Sequence, residues 1–259
     1  LALGSAAAAC AVALVFRRRL SPQLMDLVKS GRKAVCVGKN YHDHIVELSQ
    51  LGPEWKPEAE SEPVLFLKPT TSYAFPGQPL VLPRRRKAAP DVKNGVHYEV
   101  ELAVIIRERL SRRDKNLAAL SDDALLARFV AGYMVAIDVT ERDEQTASKN
   151  KGMPWTVAKG YDSFCPLSEP FTLGAGEPWT KVRLYLDVNG VRRQECDAGV
   201  MIHSIPSLLK YIPQIMTLEP GDLLLTGTPK GVGRVVPGDT MTAGALGHVQ
   251  MTVPVVLQS

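Results

Sequence analysis

Two carboxylates two residues apart, Glu99 and Glu101, lead into the apolar run Leu102-Ala103-Val104-Ile105-Ile106, and no other stretch constrains this chain as strongly. The run from His97 to Ile106 predicts a strand. Side chains alternate faces along a strand, so Glu99 and Glu101 share one face while Val100 and Leu102 take the other. Two like charges entering a core cost free energy unless water, protons or a cation compensates them, and a hard divalent cation is the natural compensator. A third acid, Asp138, ends the apolar run Gly132-Tyr133-Met134-Val135-Ala136-Ile137. Three oxygen donors with no Cys or His at ligand spacing point to Mg²⁺, or Mn²⁺, rather than Zn²⁺, with positions left for water and substrate. A solvated Glu-x-Glu strand face is the alternative reading of the same pattern.

A length of 259 residues permits a substantial core. Basic residues number 31 against 27 acidic, and this excess, spread over many positions, gives no sign of a nucleic-acid partner. Cys10, Cys36, Cys165 and Cys196 form no Cys-x-x-Cys pair, so free thiols in a reducing compartment are expected. The run Leu1 to Phe16 is Ala-rich and apolar, Arg17-Arg18-Arg19 follows, and no acid precedes Asp26. Residues 1–30 therefore read as a leader or arm of mitochondrial type, with a cytoplasmic protein as the alternative and no membrane span expected. Residues 31–259 read as the folded domain.

The folded part begins with a strand at Lys33-Ala34-Val35-Cys36-Val37-Gly38, and a helix should follow from Tyr41. On that helix His44 and Glu47 are three apart, so their side chains can meet. A carboxylate beside an imidazole fixes its tautomer and raises its basicity, as activation of a water requires; an ordinary surface pair is the alternative. The Pro/Glu/Gly-rich loop from Leu51 to Ser61 would suit a mobile lid beside this helix. Pro63 to Pro69 predicts a strand, and Arg84-Arg85-Arg86-Lys87 a solvated basic loop. Ser121 reads as the cap of a helix running to Val130. The polar segment after Asp138 holds Arg142 and Gln145, and Lys159 follows; these could hold an anionic substrate, although polar segments after strands usually face water. Asn189-Gly190 after Val182–Val188 signals a hairpin. A helix is expected from Ile205 to Ile212 and a buried strand from Asp222 to Thr226, entering a Gly-rich turn that lacks the P-loop ending. The strand count favours a β-rich α+β domain.

Together these stretches resemble the fumarylacetoacetate hydrolase superfamily, and within it the acylpyruvase group, over residues 33 to 256. The resemblance rests on Val35-Cys36-Val37-Gly38-Lys39-Asn40-Tyr41, Glu62 to Pro69, Glu99-Val100-Glu101-Leu102, Asp138 with Arg142, Gly152 to Lys159, and Thr226 to Gly233. It implies a mixed β-sandwich roll, usually a homodimer, with Glu99, Glu101 and Asp138 as Mg²⁺ ligands and His44 with Glu47 on a lid. It also implies that Arg142, Gln145, Lys159 and Thr228 contact the substrate or support the metal site. The loops at 51–61 and 84–95 are longer than the group's pattern, and the N-terminal arm lies outside it.

The activity implied is metal-dependent cleavage of a carbon–carbon bond in small 2-oxo acids: acylpyruvate hydrolysis, oxaloacetate decarboxylation, or both, giving pyruvate. The alternatives are an isomerase or decarboxylase of aromatic-degradation intermediates and a non-catalytic oxo-acid-binding protein.

Overall fold

Ala34 and Cys36 alternate with Val35 and Val37 along β1 (Lys33–Gly38), and all four are buried, so this strand has protein on both faces. In the computed structural model, which describes residues 22–49, 62–84, 92–114 and 116–259, β1 is the second strand of a five-stranded mixed sheet. Its order is β2 (Val64–Pro69), β1, β12 (Leu223–Leu225), β6 (Val100–Ile106) and β7 (Val130–Ile137). β1 runs parallel to β12, and the other pairs are antiparallel.

A second five-stranded sheet has the order β11 (Val191–Asp197), β10 (Arg183–Val188), β14 (Thr240–Ala245), β15 (Val249–Leu257) and β4 (Leu80–Leu82). Its strands β10, β14 and β15 pack on β6 and β7, which makes the sandwich. Two small sheets complete the body: β13 (Gly233–Arg234) with β5 (Val96–Tyr98) and β8 (Thr140–Glu141), and β3 (Tyr73–Ala74) with β9 (Cys165–Pro166). The fold is α+β and strand-rich.

Strand periodicity divides the core in two. Val100, Leu102, Val104 and Ile106 of β6, with Val135 and Ile137 of β7, join the apolar cluster of the sandwich. Ala103, Ile105, Met134 and Ala136 join a second cluster on the opposite face, against Met25 and Val28 of α1 (residues 22–30). The packed body therefore reaches back to residue 25, ahead of β1. Glu101, like Ala103 and Ile105, belongs to this second face, at the end of the strand.

Local signals account for several elements. Ser121 accepts a hydrogen bond from Ala124 N and caps α3 (Asp122–Phe129). Asn189 and Gly190 both have positive φ, 51° and 77°, as the two-residue turn between β10 and β11 requires. Ser204 caps α6 (Ile205–Tyr211). The remaining helices, α2 (His42–Ser49), α4 (Arg142–Asn150) and α5 (Thr156–Lys159), all carry candidate site residues. Among the described residues no helix is long and apolar enough to cross a membrane. Cys36, Cys165 and Cys196 are free. Cys10, the loop from Leu51 to Ser61 and most of the basic loop lie outside the described residues.

The continuous strand expected from His97 to Ile106 is two strands. β5 pairs with β13 and β8, β6 pairs with β12 and β7, and Glu99 is the residue between them. A period-two pattern reports which face a side chain takes, not which sheet its backbone joins. Here the chain changes sheets at the first acid.

Candidate active site

The sheet change aims Glu99 at the C-terminal end of β7, where Asp138 N donates to Glu99 O at 2.8 Å. Glu101 sits at the start of β6 opposite Ala136. Ligand oxygens of Glu99, Glu101 and Asp138 lie within 4.8 Å of one another, and all three residues are buried. Burial raises the Glu101 carboxyl well above its ordinary value, and the Asp138 and Glu99 charges push it the same way. Oε2 of Glu101 accepts from Gly227 N at 2.7 Å.

Three cations surround the acids. Arg142 Nη2 donates to Glu99 Oε1 at 2.6 Å and Nη1 to Gln145 Oε1 at 2.7 Å, while its buried Nε has no hydrogen-bond partner. Lys159 Nζ bridges Glu99 Oε2 at 2.8 Å and Asp138 Oδ2 at 2.6 Å. Burial opposes ionisation of Glu99, but Lys159 and Arg142 outweigh it and hold that carboxyl far below its usual range. Lys159 shows the converse: burial would lower its ammonium, and Asp138 and Glu99 raise it instead. The third cation is Lys68, fully buried on β2, whose Nζ donates to the carbonyls of Val139, Lys159 and Phe164 at 3.0, 2.6 and 2.9 Å. Asp138 Oδ1 is 2.8 Å from the same Nζ, yet makes no hydrogen bond, because the three N–H donors already point at carbonyls.

Polarity alone would put the segment after Asp138 in water, and the resemblance puts Arg142 and Gln145 at the site; the structure buries them. Arg142, Asp143, Glu144 and Gln145 are buried in the first turns of α4. The segment faces inward because its charges are met there: Arg142 pairs with Glu99, and the Asp143 carboxylate accepts from the backbone N–H groups of Lys93, Asn94 and Gly95. Those bonds fix the loop that leads into β5 and Glu99.

On α2 the His44 ring is buried, and its Nδ1 lies 3.1 Å from Glu47 Oε2. Burial would raise the Glu47 carboxyl, but the His44 bond and the Gly231 N–H, which reaches Oε1 at 2.9 Å, hold it below its ordinary value. Thr228 Oγ1 accepts from Gln194 Nε2 at 2.9 Å. His44, Glu99, Glu101, Asp138, Arg142, Gln145, Lys159 and Thr228 line one pocket, of about 350 Å³ including its open mouth. Val37, Phe66 and Trp155 form its apolar wall, and Glu47 stands behind His44.

The model of the fumarylacetoacetate (FAA) hydrolase C-terminal family matches residues 33–256. The chain belongs to the fumarylacetoacetate hydrolase family. It is 42% identical to bovine "Oxaloacetate tautomerase FAHD1, mitochondrial" over 221 residues, 85% of this chain and 90% of the bovine one. It is 41% identical to "Oxaloacetate decarboxylase, mitochondrial" of Dictyostelium discoideum over 220 residues, 85% of this chain and 91% of that relative. Among solved structures, fumarylpyruvate hydrolase from Pseudomonas aeruginosa, in complex with Mn²⁺ and pyruvate, superposes with a TM-score of 0.73 at 30% identity, covering 88% of this chain and 91% of that one.

The family's fold here builds a donor set that suits a metal ion. It is made of oxygens alone, it is buried, and it includes an Asp138 oxygen with no hydrogen bond. These are the properties a hard divalent cation requires. Three supporting side chains escaped the sequence reading: Lys68, Asn40 and Gln194. Asn40 Nδ2 donates to Thr226 O at 2.8 Å and His203 O at 3.0 Å, and its Oδ1 accepts from His203 N at 2.6 Å. Gln194 Oε1 accepts from Val100 N at 2.9 Å, between the two glutamates. Lys68 and Asn40 stand inside stretches that carried the resemblance, and their polarity in apolar surroundings was the signal available.

Proposed function

We propose that this protein is a divalent-cation-dependent enzyme that acts on small 2-oxo acids through the enolate of the acid, cleaving a carbon–carbon bond in acylpyruvates, oxaloacetate or both to give pyruvate. The observation that carries this reading is the buried three-carboxylate cluster, in which one Asp138 oxygen accepts no hydrogen bond, at a pocket lined by Arg142, Lys159 and His44. Glu99, Glu101 and Asp138 would hold Mg²⁺ or Mn²⁺. A bound divalent ion supplies Lewis-acid stabilisation of the developing enolate charge, worth several kcal/mol.

The chain's own groups do the rest. Arg142, with a free Nε beside its bond to Gln145, orients the substrate carboxylate, and Gln145 keeps the guanidinium in register. Lys159 offsets negative charge as the bond breaks. Thr228 supplies a hydroxyl at the pocket wall. Glu47 takes the Nδ1 proton side of His44, which leaves Nε2 basic; in acylpyruvate hydrolysis His44 then removes a proton from the water that attacks the distal carbonyl. In oxaloacetate decarboxylation carbon dioxide leaves and no water attacks.

A second reading, keto–enol tautomerisation of oxaloacetate, is favoured by 42% identity to a relative of that name. It uses the same enolate, with a proton moved at the carbon beside the keto group and no bond cleaved. Mitochondrial residence is proposed from the relatives' printed names, and a homodimer from the resemblance alone.

The test is turnover of acetylpyruvate and oxaloacetate, and enol-to-keto conversion of oxaloacetate, each with and without chelator. Metal-dependent turnover of any of these supports the reading. Tight oxo-acid binding with zero turnover of all three would leave a non-catalytic binding protein.

A further inference from the structure

Among the described residues, Lys68 is the one cation paired with the acidic cluster that does not line the pocket. Its side chain is fully buried, it comes from β2, and it touches both segments that carry site residues: Val139, next to Asp138, and the backbone of Lys159. A buried lysine used only as a tie would be met by carbonyls. This one is met by carbonyls and also placed 2.8 Å from a carboxylate oxygen to which it donates nothing. Its charge therefore acts on Asp138 through an ion pair, with no hydrogen bond to Oδ1.

The charges in contact are matched. Glu99, Glu101 and Asp138, when all are ionised as cation binding requires, face Lys68, Arg142 and Lys159. With all three acids ionised the shell has no net charge, and with a divalent cation bound it carries a double positive charge, equal and opposite to that of a 2-oxo dicarboxylate or oxalate. Without Lys68 the same ionised shell would carry a net negative charge, which favours the cation, and the loaded shell would hold a single positive charge, which disfavours the dianion.

We propose that Lys68 is a positioning residue that sets the charge of the loaded site: it holds Asp138 and Lys159 in place, loosens the grip on the divalent cation and tightens the grip on a dianionic oxo acid. The inference rests on the reading of the three acids as a divalent-cation centre. It adds that the favoured substrate class is the dianion.

The test uses the whole chain, stripped with chelator and refilled with Mn²⁺, with Lys68→Met and Lys68→Gln as variants. Lys68→Gln removes the charge while keeping N–H donors that can still meet some of the carbonyls, so it serves if Lys68→Met does not fold. Calorimetry reads Mn²⁺ binding to the stripped protein and then oxalate binding to the loaded one. Mn²⁺ should bind about tenfold more tightly and oxalate about tenfold more weakly in the variants, since a neighbouring charge shifts such equilibria by one or more powers of ten. Oxamate, a monoanion of the same shape, should lose less than oxalate does. Loss of both affinities together would show a purely structural lysine and overturn the proposal, as would no change in either. In the wild-type protein equal affinity for oxalate and oxamate would also overturn it. Absence of Mn²⁺ binding to the wild-type chain is a different failure, that of the cation centre itself.

Discussion

The backbone N–H of Gly227 donates to Oε2 of Glu101 at 2.7 Å, so the turn after β12 orients an acid of the neighbouring strand. Gly227 has φ +94°, and a Cβ there would lie 2.8 Å from Cβ of Asn40. Both facts demand glycine. Gly227→Ala should cost about 1–3 kcal/mol of stability and displace the N–H from Glu101. Urea unfolding measures the first effect, and weakened Mn²⁺ binding in the folded fraction measures the second.

Cation binding should depend on pH through Glu101. Its carboxyl titrates above the ordinary glutamate value because burial and its two acidic neighbours oppose ionisation. In the cation-free protein its contribution to stability is present below the unfolded value and is lost as pH rises through the folded one, where a buried charge appears. A cation needs that charge, so binding expels a proton, and its apparent affinity rises with pH beyond the range in which an ordinary glutamate titrates. Calorimetry in buffers of different ionisation enthalpy counts the proton. Affinity that falls with pH would contradict the assignment.

The dyad should separate the two cleavage reactions. General-base assistance is worth about 10²–10⁴-fold, so His44→Ala should lower kcat for acylpyruvate hydrolysis by that factor and oxaloacetate decarboxylation much less. Glu47→Gln should follow the same pattern more weakly, because it leaves the imidazole in place. Steady-state kinetics at saturating Mg²⁺ decides it. Equal losses for the two substrates would remove water activation from the dyad and make His44 the group that protonates the enolate in both.

Gln194 joins three backbone and side-chain groups of the site: Val100 N, Thr228 Oγ1 and Pro229 O. Gln194→Leu leaves buried polar groups without partners, and each such group costs about 1–3 kcal/mol. Thermal unfolding should show the loss. A raised KM with a smaller change in kcat is expected, because Thr228 and the segment between the glutamates would be less well held.

Much of the fold was legible because it rests on local chemistry. Ser121 capped its helix, Asn189-Gly190 turned its hairpin, and the alternation in Val100 to Ile106 separated the two core faces. What stayed hidden is what depends on partners distant in sequence. Polarity alone would have left Arg142 to Gln145 in water; only the resemblance placed Arg142 and Gln145 inside, and the partners that bury the segment, Glu99 and the 93–95 backbone, are distant in sequence. The sheet change at Glu99 is set by β13 and β8, far from it in the chain. Lys68 carries no local signal of the three carbonyls that receive it, since these come from residues 139, 159 and 164.

Mn²⁺ titration of the chelator-stripped protein, followed by paramagnetic relaxation of solvent water, tests the central claim most directly. One Mn²⁺ should bind per chain, oxalate should displace water from it, and Glu101→Gln should abolish both signals while the protein stays folded. Unchanged Mn²⁺ binding and unchanged response to oxalate in Glu101→Gln would contradict the account.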